Sequence, residues 1–96
     1  MTEHKSVEMF KNVCENCGET FAIKNKAYGD AIWKTGVLGA VVELIGACAR
    51  LPQMVLRNRF HGREIKENLA DVLVDIHNYA AIGLMMLESD NWEGEE

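Results

Sequence analysis

Ninety-six residues make one domain and no more, and a chain that short buries only about 60–65% of the surface its unfolded form exposes, so a lone copy is marginally stable. At 48% hydrophobic and 26% charged, with one proline, the composition excludes disorder and fibrous repeats. The net charge of −5 sits at one end: five of the 15 acids fall in residues 88–96, leaving ten acids against ten bases, so residues 1–87 read as the domain and 88–96 as a disordered, solubilising tail.

No continuous basic stripe offers a surface to nucleic acid. Met1–Asn12 carries charge where a signal peptide needs an apolar run, and the longest uninterrupted apolar stretch, Tyr79–Leu87, is too short for a bilayer that needs about 20 residues. The expectation is a cytoplasmic protein without a membrane partner, whose Cys14, Cys17 and Cys48 stay reduced.

Apolar spacing predicts three helices. The first spans Val7–Lys26, with Val7, Phe10, Val13 or Cys14, Cys17 and Phe21 at three- and four-residue steps and Ile23 as a further candidate for that face. Ala27–Gly36 interrupts it with Tyr28, Gly29, Asp30, Trp33 and Gly36, leaving room for a short extra helix around residues 27–38. The second, Val37–Arg57, is expected to turn Leu38, Val41, Val42, Ile45, Cys48, Leu51 and Val55 inward, and Pro52 must kink or end it near Leu51. Asn58–Arg63, containing Gly62, reads as a turn.

The third helix, Glu64–Leu87, would be a rod about 36 Å long. Ile65, Leu69, Val72, Ile76, Ala80 and Gly83 form its apolar row. Its far end is apolar all round and needs cover on every side, which a second copy supplies most simply. The predicted fold is therefore all-α, a three-helix protomer that assembles into a homodimeric or homotetrameric bundle.

Glu67, Asp71, Asp75 and Asn78 follow one another at steps of four, four and three on that helix, one stripe beside the apolar row. Like charges at such steps cost a few tenths of a kcal/mol per pair. A solvated acidic face is the bland explanation. Against it, Asp71 and Asp75 are embedded in LADVLVDI and Glu43 in VLGAVVELIGA, and an acid among apolar neighbours is costly unless paired or bound to metal. A magnesium ion, which takes carboxylate oxygens and keeps waters and phosphates as its other ligands, fits such donors.

Cys14 and Cys17 form a CxxC on one helical face. Without a second CxxC or an HxxxH, buried small hydrophobes are favoured over a zinc or redox site. His77 reads as a packing residue.

The segment Lys24-Asn25-Lys26-Ala27-Tyr28-Gly29-Asp30, followed by Gly36 and Gly39, Arg50-Leu51, Glu67, Asp71, Leu73, Asp75 and Asn78-Tyr79-Ala80, resembles the nucleotide-modification-associated domain 1 family. That family looks like a branch of the all-alpha nucleoside triphosphate pyrophosphatases, beside the MazG-like enzymes and dimeric dUTPases. The resemblance covers about residues 15–87 and rests on KNxxYGD and ExxxDxLxDxxNYA in that order. It implies a magnesium-dependent hydrolase that cuts a nucleoside triphosphate between its alpha and beta phosphates. The superfamily draws its metal ligands from ExxE on one helix and ExxD on the next. Here Glu43 is followed by Gly46, and Asn68 stands where ExxD has its glutamate, with Glu67 one position earlier.

Glu43, Glu67, Asp71 and Asp75 are thus the expected metal ligands, with Glu43 and Asp71 in the catalytic role. Lys24, Lys26 and Arg50 are candidates for phosphate charge, with Arg57, Arg59, Arg63 and Lys66 clustered around the second turn, where a plain surface role is the alternative. Tyr28 and Trp33 are candidates for stacking a base, with a place in the core as the alternative; Asn25 and Asn78 are candidates for base or sugar edges, with helix-end hydrogen bonding as the alternative, and Asp30 joins the expected substrate contacts. The alternative function is a non-catalytic nucleotide-binding or helical interaction module.

Overall fold

The computed structural model describes residues 3–28, 31–90 and 92–94, and for residues 3, 27, 28 and 57–67 the backbone alone. It is helical, with no strand among the described residues. Helix α1 spans Glu3–Tyr28, a short 3-10 helix Ala31–Lys34, α2 Gly36–Ala49 and α3 Leu51–Leu87. The chain divides into two compact units, Met1–Asp30 and Ala31–Glu96.

In the first unit, α1 extends past both ends of the predicted segment. Of its apolar row Cys17 is buried and Cys14 and Phe21 are half-buried, while Val7, Phe10 and Val13 are exposed. The predicted inward face is therefore buried only around Cys14–Phe21, and its first half is exposed.

The second unit is built on α2 and α3, and Pro52 decides where they meet. Its ring cannot donate a hydrogen bond and clashes with a preceding helical turn, so α2 stops at Ala49 and Pro52 lies in the first turn of α3. There the missing N–H is harmless. The predicted second helix therefore ends eight residues early, and Leu51–Arg57 belongs to α3.

Although α3 is assigned as a single helix, it is not a straight rod. Arg50 and Asp75 are 25 residues apart, about 37 Å along a straight axis, yet their side chains meet at 3.4 Å. Gln53 and Met54 also share a cleft with Asn68 and Asp71. The chain reverses between Met54 and Asn68, the interval holding Gly62, and helical backbone runs through it where the sequence predicts a turn over 58–63.

After that reversal the second arm of α3 runs antiparallel to α2. Val37 Cγ2 lies 3.9 Å from where a Cβ on Gly83 would stand, and Arg50 reaches Asp75 at the other end. The buried face of α2 is Gly36, Ala40 and Ala47. Leu38, Val41, Val42, Ile45, Cys48 and Val55, predicted to point inward, are exposed. Small side chains let two helix backbones approach closely and gain dispersion contacts, and the bulky row is left outside. On α3 the buried residues are Val72, Ile82 and Met86, with Asp75 and Tyr79 half-buried on the same stripe.

Two stretches combine length and apolarity sufficient for a bilayer crossing, Gly36–Leu56 and Asn68–Leu87, with mean hydropathies of 1.4 and 1.3. Only 11% and 22% of them is buried inside the chain. A search for unbroken apolar runs misses both, because Glu43 and Arg50 interrupt the first and Asp71 and Asp75 the second.

Candidate functional site

The packing of α2 on α3 brings charged residues together at the proline joint. Arg50, the residue between the two helices, donates from Nη2 to Asp75 Oδ2 at 3.4 Å, long for a charge-assisted bond. The Arg50 side chain is 56% exposed and that of Asp75 25%, so the pair is partly solvated and worth at most about 1 kcal/mol. Asp75 lies on the half-buried stripe of α3, where a nearby cation offsets part of the cost of taking a carboxylate out of water.

Beside this pair is an open cleft of about 360 Å³ lined by Arg50, Gln53, Met54, Asn68, Asp71 and Val72. The volume lies in the range of small-molecule sites. Among the described residues, the cation Arg50, the carboxylate Asp71 and the amides Gln53 and Asn68 line it, with Met54 and Val72 as its apolar wall. The sequence does not single out Gln53, and it marks Asn68 only as a departure from ExxD. Their signal was helical spacing, Gln53 three residues after Arg50 and Asn68 three before Asp71.

Of the four expected carboxylates, the described residues include the side chains of Glu43, Asp71 and Asp75. Asp71 and Asp75 stand one turn apart on the same arm, and the Glu67 side chain lies outside the described residues. Glu43 falls about midway along α2 between Val37 and Arg50. The antiparallel pairing therefore sets it level with residues near 80, roughly 6–9 Å along the axis from Asp75, and it is exposed. Among the described residues no three of His, Cys, Asp or Glu form a metal-sized group. Asp71 and Asp75 remain suitable donors, since magnesium is commonly held by one or two carboxylates with waters and phosphates.

Lys24 and Asn25 belong to α1 in the first unit, exposed and half-buried respectively. The side chain of Tyr28, and Asp30 entirely, lie outside the described residues, as do the side chains of Arg57, Arg59, Arg63 and Lys66. Trp33 is half-buried in the short 3-10 helix. Asn78 is half-buried, its Oδ1 2.9 Å from His77 Nδ1, so the imidazole N–H donates to the amide. The cysteines are free thiols. Burial pushes the Cys17 thiol above its ordinary range, and Cys14 beside it adds to the shift.

In comparisons with known proteins, no family model matches the chain, and no curated protein or solved structure matches it.

Proposed function

We propose that this protein is a magnesium-dependent nucleoside triphosphate pyrophosphohydrolase, cytoplasmic and homo-oligomeric, that releases pyrophosphate and a monophosphate. The observation carrying the proposal is the convergence of Arg50, Asp71 and Asp75 at the α2–α3 joint, beside a cleft with polar and apolar walls. The resemblance of KNxxYGD and ExxxDxLxDxxNYA to a nucleotide-hydrolase family supports it.

Asp71 and Asp75, with Glu67 one turn before them, are the residues that would hold the ion. The ion's part is to neutralise phosphate charge and acidify a bound water. Arg50 offers a fork of N–H donors to phosphate oxygens, Gln53 and Asn68 offer amides to sugar or base edges, and Met54 and Val72 exclude water from one wall. Phosphoryl chemistry of this kind depends on positioning and charge neutralisation more than on covalent help from the protein.

A second copy is the proposed cover for the exposed row of α2. In a bilayer each charge near the centre of a helix costs about 2.5–3.5 kcal/mol, and Glu43 and Asp75 lie near the middle of the two apolar stretches. A protein partner covers the bulky row while leaving the charges in water.

The test is pyrophosphate release from canonical and modified deoxynucleoside triphosphates with magnesium. Wild type should turn over at least one substrate, and Asp71→Asn should lower the rate by about 100-fold or more, the scale of losing one electrostatic element of a reacting site. Its folding stability should stay within about 0.5 kcal/mol of wild type or rise, since the change relieves like-charge repulsion. Absence of both turnover and magnesium-dependent binding would reject the enzyme. The ion pair already formed between Arg50 and Asp75 favours the second reading, a binding or interaction module in which that pair is structural. Calorimetry with magnesium and nucleotides separates the two, because a ligand module binds without turnover and an interaction module does not bind.

A further inference from the structure

The acidic end of the chain returns to the start of α2. Ser89 closes α3, its N–H and Oγ both donating to the Met86 carbonyl at 3.0 and 2.9 Å. Three residues later the Trp92 carbonyl accepts the Val37 N–H at 2.8 Å. Val37 is the second residue of α2, and its amide is one of the four that a helix cannot satisfy internally. Thr35, at the N-cap position, makes no side-chain cap bond; its hydroxyl donates to the Ile32 carbonyl at 3.0 Å. The tail supplies the cap that the local sequence does not.

Two glycines make that approach possible. Gly36 is buried with φ +68°, and a Cβ there would stand 2.5–2.6 Å from backbone atoms of Trp92, Glu93 and Gly94. Gly94 has φ +105°, and its Cβ would stand 2.8 Å from the Lys34 carbonyl oxygen and 3.2 Å from the Thr35 carbonyl carbon. In both cases the obstacle is backbone, which cannot swing aside. Bare backbone meets bare backbone from the two sides, and each glycine adopts a conformation that other residues rarely take. The segment that docks is also the acidic one, which suits the positive end of a helix.

Through Lys34 the contact grips the last residue of the 3-10 helix that carries Trp33. We propose that Trp92–Gly94 is a clasp that caps α2 and holds the Trp33 segment in position, giving the acidic end of the chain a positioning role in substrate binding. Only the last clause, which takes Trp33 as substrate-facing, rests on the proposed function. The capping and the grip on Lys34 stand on the contacts alone.

In the full-length protein, Trp92→Phe leaves Trp33 as the only tryptophan, since the chain has two. Adding Gly94→Val should open the clasp without touching a helix interior. The Val37 amide should then exchange with solvent about five- to tenfold faster, the protection ordinarily given by one hydrogen bond. Acrylamide quenching of Trp33 should rise. Gly46→Ala, whose Cβ enters open space, should leave both readouts unchanged.

In a protein that hydrolyses a deoxynucleoside triphosphate, Gly94→Val should raise KM with kcat preserved, the sign of lost binding rather than lost chemistry. A Val37 amide in unmodified protein that exchanges like an exposed one overturns the clasp without recourse to any variant. Unchanged Trp33 quenching in Gly94→Val overturns the grip on that segment, and unchanged KM overturns its link to substrate. If the parent turns over no nucleotide, the substrate clause falls with the proposed function, while exchange and quenching still decide the clasp.

Discussion

Asp75 is half-buried on the core stripe of α3 and its ion pair with Arg50 is long, whereas Asp71, a turn away, is exposed and lines the cleft. Removing the cation by Arg50→Ala should therefore cost little stability, about 1 kcal/mol or less in urea unfolding, because the guanidinium is mostly in water. The same change should cost far more in nucleotide turnover if Arg50 holds phosphate. Equal and small effects on both would mark the pair as structural. The cysteines differ in a way that alkylation reads directly. Cys17 is buried with a raised thiol pKa, and Cys48 is exposed. Since the thiolate is the nucleophile, Cys17 should be the slowest of the three to react with iodoacetamide at pH 8, and its rate should still be climbing as the pH rises beyond 9. Rapid labelling of Cys17 would contradict its burial.

Met86 is the largest fully buried side chain among the described residues, and its carbonyl also receives both bonds from Ser89. Met86→Ala should cost about 2–5 kcal/mol, the usual range for emptying a buried methionine site, measured as a loss of thermal or urea stability. Gly46 presents the opposite case. It lies inside α2, exposed, with open space where a Cβ would go, so Gly46→Ala should raise stability by about 0.5–1 kcal/mol through helix propensity. A destabilised Gly46→Ala would mean that this face of α2 is covered closely by a partner. Pro52 was legible as a break because its effect is local. The reversal between Met54 and Asn68 depends on where the two arms find each other, and local signals indicate it only through Gly62.

For the whole molecule, the outstanding feature is apolar surface that the chain does not cover. Leu38 is 70% exposed, Ile45 63% and Leu84 65%, and Phe10 and Ile23 on α1 are as open. Bulky apolar side chains left open along α2 and α3 mark an interaction site. Wild type should sediment as a dimer or tetramer at micromolar concentration. Leu38→Lys with Ile45→Lys, two turns apart on the exposed row of α2, should shift it to monomer with helicity retained. A compact, stable wild-type monomer would reject the assembly.

Periodicity, proline chemistry and charge spacing by themselves determined that the chain is helical, that Pro52 divides its middle, and that Asp71 and Asp75 share a stripe. Each is a property of neighbours within a turn or two. Which face of α2 is buried was decided only by tertiary packing, because Gly36–Leu51 is apolar nearly all round and its small-residue row fits α3 more closely than its bulky one. Tertiary structure likewise brought Arg50 to Asp75 across 25 residues. It also turned the acidic end onto α2, since two glycines 58 positions apart in the sequence allow backbones to meet where any side chain would keep them separate.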